Sequence, residues 1–575
     1  MPTTSKKQKA RTATHRPAVR RRRFRHDDLV AVDLFSGFGG LTRGIEMAGF
    51  TTIMAANHNS YKVEVHEANH PNAEHWIADL VDPDAADYHS ARDLPAADLL
   101  VAGVSCVNHS FANTQRAYAH GLTLFGMDDP DYEDRVTRSE RDRATANCVL
   151  HYAQKHRPRM ILVECTTELQ SWGPLLPGSK KIGDGSTYRW WLRQFDLLDY
   201  NHQVLFLNSQ FFGVPQSRNR GYWVFVHKSL PMPDLDHRPA SRCEPCDKDI
   251  EAIWTWRTGI PPTGKVAYGE QYEYRCPSCR TRVEPPATPS ITALDLTDLG
   301  TRIGDRPVKT FKDGHRGPFA ASTTARIERC RQKFADFPAI LMPAKGVHGS
   351  ERLLLQPLAT QTSQQEAALL STGPGLWDND AALSLAVDNY QGAPRGPGGP
   401  LPTQVGSETL AVVSSGVLPY RKNTVPQLYT EPMPTFTAEQ IPGVLTAAGW
   451  FKQNGTTPNH GTAPHPVTDP LGTLTAHDTT ALPTANWGPA LSQVPFDECF
   501  YRMMAAHEIG RGCGFDVNFR DHTGIFKVWG TARDQVDGFG NAVSPQVGAW
   551  IGTRLRAVIH SPQDSGTAAD LAEAA

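Results

Sequence analysis

The chain has 575 residues, enough for three or four domains at ~150 residues each, and its composition excludes several classes of protein. Hydrophobic residues make up 39% and charged residues 21%, which excludes a low-complexity chain. Ten cysteines in this length exclude a small disulfide-stapled module. Lys and Arg number 58 against 60 Asp and Glu, so the formal net charge is only −2. No apolar run reaches the ~18 residues that a membrane-spanning helix needs, so we expect a soluble intracellular protein.

Positive charge is concentrated at the N-terminus. The first 25 residues contain ten Lys or Arg and no acid, so the rest of the chain carries about −12. This composition predicts that residues 1–26 form a disordered basic tail. The tail either solubilises the chain or attracts phosphate groups without reading sequence.

From Leu29 onwards, short apolar runs alternate with helical stretches. This alternation predicts an α/β fold with a mostly parallel, doubly wound sheet that ends near His227. The predicted strands and helices are 29–35, 39–49, 51–56, 61–68, 98–104, 141–155, 160–163, 204–207 and 222–226.

Between about 228 and 495 the chain becomes rich in Pro, Thr and Gly, until a helical pattern returns around Tyr501 to Ile509. A Pro-apolar-x-Thr-x-Thr/Val motif occurs four times, at intervals of 43, 32 and 38 residues, and each copy follows a short apolar segment. This spacing predicts an array of short β elements, although a Pro/Thr-rich insertion without a single function remains an alternative. The copies are Pro357-Leu-Ala-Thr360-Gln-Thr362, Pro400-Leu-Pro-Thr403-Gln-Val405, Pro432-Met-Pro-Thr435-Phe-Thr437 and Pro470-Leu-Gly-Thr473-Leu-Thr475, and the preceding segments are 339–342, 385–387, 416–418 and 443–445.

Three motifs at predicted strand ends carry residues suited to chemistry. Asp33-Leu-Phe-Ser-Gly37-Phe-Gly39-Gly40 lies between a strand and a helix, where glycines let the backbone approach a nucleotide-like ligand. Cys106 follows an apolar strand and is either a nucleophile or a buried structural thiol. Glu164 follows the next strand and is either a proton donor with a raised pKa or one partner of a surface ion pair.

Three further motifs complete a pattern. They are Leu207-Asn-Ser-Gln-Phe-Phe-Gly213-Val-Pro215-Gln216-Ser-Arg218-Asn-Arg220, Phe500-Tyr-Arg502-Met-Met-Ala-Ala-His507-Glu508 and Gly540-Asn541-Ala-Val543-Ser-Pro545. In order, spacing and residue identity, the six motifs resemble the DNA cytosine-5 methyltransferase family over residues 29–227 and again over about 497–557.

The resemblance implies an α/β fold, in which a Rossmann-like S-adenosylmethionine-dependent methyltransferase domain carries a large β-rich, zinc-containing target-recognition insertion. It also implies that a cytosine is rotated out of double-stranded DNA into the pocket. Cys106 then attacks C6 as a thiolate, while Glu164 hydrogen-bonds or protonates N3. Arg218 holds the base and stabilises the developing charge, with Gln216 and Arg220 ordering the site.

The resemblance further implies a set of residues around S-adenosylmethionine. Asp79 matches the acid that contacts the adenine amino group. The full set is Phe35, Ser36, Gly37, Gly39, Gly40, Asn57, His58, Asp79, Asn541 and Val543.

The chain departs from the family pattern next to both chemical groups. The family usually has Pro-Cys-Gln where this chain has Ser105-Cys106-Val107, and Glu-Asn-Val where it has Glu164-Cys165-Thr166. A proline at position 105 would fix the backbone φ angle before the catalytic loop, and Ser105 removes this restriction. Ala56-Asn57-His58 replaces the usual ribose-binding acid. These changes leave open slow turnover, an altered transferred group or loss of activity. We expect activity, because the nucleophile, the acid and both arginines of the Gly-Val-Pro-Gln motif are present.

Four cysteines form two pairs, Cys243-Glu-Pro-Cys246 and Cys276-Pro-Ser-Cys279, separated by 29 residues. This pattern predicts a structural zinc ion, with free thiols as the alternative. We expect the ion to stiffen a DNA-reading subdomain without being needed for catalysis.

The sequence predicts five regions: a disordered tail (1–26), a first catalytic part (27–227), a target-recognition insertion (228–495), a returning catalytic part (496–560) and a second disordered tail (561–575). Within the insertion, zinc knuckles cover 243–279 and β repeats cover about 339–480.

We expect a monomer without membrane contact, in the cytoplasm of a prokaryote or of a virus-infected host and associated with the nucleoid. Whether a cognate restriction nuclease exists is unknown. The alternatives are an RNA cytosine-5 methyltransferase with the same chemistry and a catalytically silent DNA-binding protein on the same scaffold.

Overall fold

A seven-stranded sheet is the framework of the computed structural model. Its strands are β1 (Val30–Leu34), β2 (Thr51–Asn57), β3 (Glu74–Ile77), β4 (Leu99–Gly103), β5 (Met160–Cys165), β6 (Tyr200–Asn208) and β7 (Asn219–His227). The structure describes residues 28–82, 84–104, 145–174, 176–177, 182–311, 314–335, 339–343, 351–354, 356–361, 363, 367–373, 385–388, 410–413, 416–418, 443–445, 451–452, 480–481, 491–519 and 523–559.

The strand order is β3-β2-β1-β4-β5-β7-β6. The first five strands are parallel to one another, and β7 is antiparallel to both of its neighbours. The order reverses between β1 and β4, where the chain leaves one half of the sheet and starts the other. The expected mostly parallel sheet is therefore confirmed, with an antiparallel strand near one edge.

The described residues form eight α-helices, some of which cover the two faces of the central sheet. They are α1 (Gly40–Met47), α2 (Ser60–Asn69), α3 (145–156), α4 (Ser186–Leu197), α5 (Ala321–Lys333), α6 (Ala506–Gly512), α7 (Ala532–Asn541) and α8 (Pro545–Ile559). On one face, α3 and α4 bury Tyr152, Trp191 and Phe195 against the strands. On the other face, α1 and α8 bury residues such as Ile45 and Ile551 against the strands. Two apolar layers therefore enclose the sheet, as expected for a doubly wound fold.

Several smaller sheets follow the central sheet along the chain. A hairpin of β8 (Ala240–Cys243) and β9 (Lys248–Glu251) precedes a three-stranded sheet of β10 (Ile253–Trp256), β11 (Tyr272–Arg275) and β12 (Arg282–Val283). A five-stranded sheet follows, with strands β13 (Thr301–Arg302), β16 (Ala339–Pro343), β17 (Arg352–Leu353), β18 (Ala367–Ser371) and β25 (Phe500–Met503). Between β13 and β16, a short hairpin joins β14 (Lys309–Thr310) and β15 (Arg316–Gly317).

The helix expected around Tyr501 to Ile509 is wrong in its first half. Residues Phe500–Met503 form β25, which pairs with β18 in the register Ser371↔Phe500 to Ala368↔Met503. The helix begins only at Ala506. Tertiary pairing overrides the local helical pattern here, because β18 offers an apolar edge to Phe500 and Tyr501.

The segments that precede the repeated motif are strands, as expected. Beyond β16 these are β19 (Leu385–Asp388), β21 (Gly416–Leu418) and β22 (Gly443–Leu445), and the same region contains β20 (Leu410–Val413), β23 (Phe451–Lys452) and β24 (Thr480–Ala481). They pair as antiparallel two-stranded sheets β19-β20, β21-β22 and β23-β24. The motif copies at Pro400, Pro432 and Pro470 lie outside the described residues, as do the two predicted tails.

Among the described helices, none has the length and apolar content needed to cross a membrane.

Candidate active site

The carboxyl ends of the parallel strands bring the predicted residues to one edge of the sheet. Ser36 follows β1, Asn57 ends β2 and Asp79 follows β3, so these three lie beside the first half of the sheet. Gly103 ends β4 and is opposite Glu164 of β5 in the parallel register. In open α/β sheets, ligands bind at this edge near the point where strand order reverses, here between β1 and β4.

The loop after β1 has a backbone that few residues adopt. Phe35 has φ 59°, and Gly37 and Gly39 have φ 54° and 82°. Left-handed backbone costs a non-glycine residue roughly 1–2 kcal/mol, so Phe35 stores strain at this turn. The amide of Gly39 donates to the Ser36 carbonyl at 2.8 Å and closes the turn. The Ser36 hydroxyl is buried and has no hydrogen-bond partner among the described residues, which leaves it available to a ligand.

Acidic and amide groups extend this edge to β3. The side chain of Asn57 accepts a hydrogen bond from the Asn59 amide at 3.0 Å. Asp79 is 4% exposed, and its Oδ1 accepts from the amides of Val81 and Asp82 at 2.9 and 3.1 Å. His58 is exposed beside them. Three adjacent strand ends therefore present predicted cofactor residues side by side.

Gly40 and Val543 contact each other through their backbones. An added Cβ on Gly40 would lie only 1.9 Å from the Val543 carbonyl oxygen, so a side chain there would separate α1 from α8. Both residues were predicted to bind the cofactor, and the close approach of their backbones gives this glycine a packing role as well. Asn541 ends α7 and is exposed, with its amide donating to Asp537 at 3.0 Å.

Glu164 and Arg220 form a buried ion pair. Glu164 is 6% exposed at the end of β5, and Nε of Arg220 lies 3.1 Å from its Oε1. Burial raises the pKa of Glu164, and the positive charges of Arg220 and Arg218 offset part of this rise. A carboxyl group with a raised pKa can hold a proton near neutral pH and donate it.

The loop between β6 and β7 is held rigidly by Asn208. Its Oδ1 accepts from the amides of Gln210 and Arg218, both at 3.1 Å, and its Nδ2 donates to Ser217 and Asn219, both at 3.0 Å. Sequence reasoning missed Asn208, although it lies within a motif used for the resemblance. Its position immediately before a long Gly/Pro loop was the available signal.

Arg218 and Gln216 point into the protein from this loop. Arg218 is 4% exposed and donates from Nη1 to the carbonyls of Gly540 and Gln361, at 2.8 and 3.1 Å. Gln216 is fully buried, and its amide donates to the Cys513 sulfur at 3.5 Å. Arg218 therefore links the loop to the end of α7, whereas Arg220 is the arginine paired with Glu164.

The first copy of the repeated motif lies against the same loop. The Leu358 amide donates to the Pro215 carbonyl at 2.9 Å, and the Leu358 carbonyl accepts from the Ser217 amide at 2.8 Å. The Thr360 hydroxyl donates to the Ser217 carbonyl at 2.8 Å. The apolar and Thr positions shared by all four copies are the ones that make this contact. Nothing in the sequence indicated it.

Cys106 and its neighbours Ser105 and Val107 lie outside the described residues. The described chain reaches Val104, whose amide donates to the Glu164 carbonyl at 3.2 Å. The candidate nucleophile thus comes two residues after a backbone group bonded to the candidate acid.

Comparison with known families identifies this arrangement. Residues 29–125 and 149–268 match the family model of C-5 cytosine-specific DNA methylase. The chain carries a C-5 cytosine-specific DNA methylase domain. The matched segments make up less than half of the chain, and they include β1 to β7, the glycine loop, Cys106, Glu164 and the loop of Arg218. The resemblance stated from the motifs is confirmed.

Curated relatives of the methylase domain include bacterial methyltransferases. The chain is 27% identical over 226 residues to the type II methyltransferase M.NgoBI of Neisseria gonorrhoeae, covering 38% of this chain and 59% of that protein. It is 25% identical over 245 residues to M.HgiCII of Herpetosiphon aurantiacus, covering 42% and 48%. It is 24% identical over 244 residues to the DNA-cytosine methyltransferase of Escherichia coli K12, covering 38% and 46%. The chain therefore spans about half the length of these relatives.

Solved structures similar to this chain include two methyltransferases of eukaryotes. The match to the S. pombe Dnmt2 methyltransferase covers 92% of this chain and 98% of the Dnmt2 chain, at 12% identity and a TM-score of 0.38. The Entamoeba histolytica methyltransferase EhMeth covers 93% and 100%, at 10% identity and a TM-score of 0.36. The fold assignment rests on the order and direction of the seven strands.

Beside the methylase sheet, the four predicted ligand cysteines come together. The sulfurs of Cys243, Cys246, Cys276 and Cys279 all lie within 4.8 Å of one another. The Cys243–Cys279 and Cys246–Cys276 sulfurs are 3.5 and 3.9 Å apart. A tetrahedral site with metal–sulfur bonds of about 2.3 Å separates its sulfurs by about 3.8 Å, so the cluster fits such an ion.

Proposed function

We propose that this protein transfers a methyl group from S-adenosylmethionine to C5 of cytosine in double-stranded DNA, through a covalent bond between Cys106 and C6 of a flipped base. The observation that carries the proposal is the buried pair of Glu164 and Arg220, which lies beside the end of the strand leading to Cys106. The family of the methylase domain supports the choice of base and of ring position.

The chain's own residues would act in sequence on the flipped base. The Cys106 thiolate adds to C6, and the electrons of the C5–C6 double bond shift into the ring. Glu164 places its proton on N3, so negative charge does not accumulate there. Bound S-adenosylmethionine supplies an electrophilic methyl group to C5. Loss of the C5 proton to a base, departure of Cys106 from C6 as a thiolate and return of the N3 proton to Glu164 then restore the C5–C6 double bond and the neutral ring.

The arginines would have different tasks in this reaction. Arg220 keeps the Glu164 carboxyl oriented and lowers the cost of its charged state after the proton leaves. Arg218 keeps the β6–β7 loop attached to α7 through the Gly540 carbonyl, and so holds Arg220 in place.

The glycine loop suits S-adenosylmethionine. The buried Ser36 hydroxyl faces no protein partner among the described residues, and the carboxylate of Asp79 lies two strands away at the same edge. A carboxylate at that position would accept from the adenine amino group. The four cysteines would hold a structural zinc ion, since four sulfurs are ligands that zinc prefers.

The relatives' names suggest a restriction-modification role, and we propose that the protein acts as a cytoplasmic monomer on DNA. The test is bisulfite sequencing of DNA from cells that express the full chain or its Cys106→Ala variant. We expect fully methylated cytosines at one fixed motif, absent with the variant. A 5-fluorocytosine duplex of that motif should then form a covalent adduct with the parent protein only, because fluorine at C5 blocks release of the cysteine.

Two other outcomes would reject the proposal. Methylated cytosine in RNA but not in DNA would assign the chemistry to an RNA substrate. Absence of methylation in both, together with retained duplex binding, would identify a silent DNA-binding protein.

A further inference from the structure

The cysteine cluster belongs to a module, residues 240–283, that reaches the catalytic groups. The module comprises β8 to β12 and the loop 257–271 between β10 and β11. Cys243 ends β8 and Cys276 directly follows β11, so a bound ion would join the two sheets of the module. Cys243 and Cys276 also bury their side chains in the same apolar cluster as Tyr272 and Tyr274.

The loop of this module contacts the segment after β5 and the start of β7, one on each side of the Glu164–Arg220 pair. The Val266 amide donates to the Thr167 hydroxyl at 2.9 Å, and Thr167 lies three residues after Glu164. The Tyr268 amide donates to Asn219 Oδ1 at 3.0 Å, and Asn219 directly precedes Arg220. Two amides in one short segment thus contact the chain next to each member of the pair.

Apolar and polar contacts reinforce this attachment. Phe211, in the loop that carries Arg218, packs edge-on against Tyr268 and Tyr274, with ring centroids 4.8 and 5.2 Å apart. The Trp254 indole donates to the Phe206 carbonyl at 3.2 Å. The module is therefore packed against the loop between β6 and β7. A module that only read DNA would not need this packing.

Inside the module, a buried carboxylate shows that its sheet is built as a unit. Glu273 is 2% exposed, and Arg257, Arg275 and Arg282 form ion pairs with it. Arg257 belongs to the loop, Arg275 to β11 and Arg282 to β12. Movement of the cysteine end of β11 would consequently be transmitted to the loop that contacts Thr167 and Asn219.

We propose that the metal-bound module positions the catalytic pair: the ion fixes β8 and β11, and the loop 257–271 then holds Thr167 and Asn219, and with them Glu164 and Arg220. Thr167 and Asn219 are positioning residues in this scheme. It rests on the proposed methyl transfer and replaces our expectation from sequence that catalysis does not need the metal. The ion would be Zn²⁺, given four sulfur ligands.

The experiment compares the full-length parent with Cys279→Ser, Thr167→Val and Thr258→Val. Cys279→Ser removes the exposed ligand of the cluster. Thr167→Val removes the acceptor of the Val266 amide without touching the metal. Thr258→Val is the matched control, since its exposed hydroxyl donates, among the residues that the structure describes, only to the neighbouring Gly259 carbonyl. Metal content is measured by plasma mass spectrometry, duplex affinity by anisotropy and methyl transfer in a single turnover at saturating DNA.

We expect one zinc per chain in the parent, Thr167→Val and Thr258→Val, and less in Cys279→Ser. The single-turnover rate should fall at least tenfold in Thr167→Val while its duplex affinity stays within twofold, and its pH profile should shift because Glu164 has moved. Thr258→Val should match the parent. An unchanged single-turnover rate in both Thr167→Val and zinc-depleted Cys279→Ser, with only weaker DNA binding, would overturn the proposal.

A second measurement is independent of methyl transfer. Hydrogen exchange of the parent is compared before and after zinc is removed with 1,10-phenanthroline. We expect faster exchange not only in residues 240–283 but also in peptides covering 164–171 and 208–220. Faster exchange confined to 240–283 would refute the positioning role, even if the protein methylated nothing. If the protein methylated nothing but exchange still became faster in 164–171 and 208–220 after zinc removal, only the proposed function would be rejected.

Discussion

Replacing Glu508 with glutamine tests a fully enclosed ion pair. Glu508 has no exposed surface, and Arg502 is 9% exposed. The two carboxylate oxygens accept from Nη1 and Nη2 of Arg502 at 2.6 and 2.7 Å, and from the amides of Asp295 and Ala505, both at 2.7 Å. An amide side chain has one acceptor oxygen, so its NH₂ group would face donors where the carboxylate had an oxygen.

The expected cost follows from this geometry. Breaking a buried ion pair by neutralising one partner typically costs about 3–5 kcal/mol, because the other charge stays buried without compensation. At ~1.4 kcal/mol for each factor of ten, local opening should become about a hundredfold to several thousandfold more frequent. The segments affected are α6 and the turn around Asp295.

Hydrogen exchange by mass spectrometry at the amides of Asp295 and Ala505 measures this opening directly, and guanidinium denaturation measures the global effect. Glu498→Gln is the matched control, because Glu498 is exposed and should change stability by less than about 0.5 kcal/mol. The double variant Arg502→Met/Glu508→Leu should recover much of the loss, since it buries no charge. A Glu508→Gln protein within about 1 kcal/mol of the parent would refute the reasoning.

Three further predictions concern the methylase sheet. Glu164→Gln should lower kcat by about 10²–10⁴-fold, and it should abolish the fall in rate at high pH that the parent shows when the raised pKa of Glu164 is exceeded, as a pH–rate profile would reveal. Gly40→Ala should cost at least about 1–3 kcal/mol in thermal or denaturant unfolding, because its Cβ meets the Val543 carbonyl at 1.9 Å, whereas Gly103→Ala, with its nearest contact at 3.7 Å, should be tolerated. Burial raises the pKa of Asp33 to about 7, so the stability that its protonated form provides should be lost as pH rises from about 4 to 7. The difference in unfolding free energy between Asp33→Asn and the parent should therefore favour the variant more at pH 8 than at pH 5. Equal differences at the two pH values would contradict this.

Local patterns in the sequence were sufficient for most of the central sheet. Alternating apolar runs and helical stretches are a property of each segment, so β1, β2 and β4 to β7 were found where the runs lie. The short edge strand β3 was missed, because Glu74-His75-Trp76-Ile77 is not an apolar run. The antiparallel direction of β7 depends on which neighbour it meets, and the pattern contains no such information. For the same reason, Phe500–Met503 looked helical, although pairing with Ala368–Ser371 makes it a strand.

The candidate site was predictable where motif and strand end coincide, as for Glu164. The ion-pair partner of Glu164 could not be predicted, because Arg218 and Arg220 are the same residue type two positions apart in one motif. Only the fold shows that Arg220 meets the carboxylate while Arg218 donates to backbone carbonyls. Likewise, the cysteine spacing predicted the cluster, but contacts such as Val266 with Thr167, 99 residues apart, arise from tertiary packing alone.

The pairing of β18 with β25 has a consequence for how this chain can change over generations. Ser371 and Phe500 lie opposite each other, so the chain leaves this sheet after Ser371 and returns to it at the neighbouring position. Doubling the length of a loop with fixed ends costs only about 0.6 kcal/mol of chain entropy. We therefore expect insertion or deletion of repeat units between Ser371 and Phe500 to leave the strands around the reaction centre in their positions.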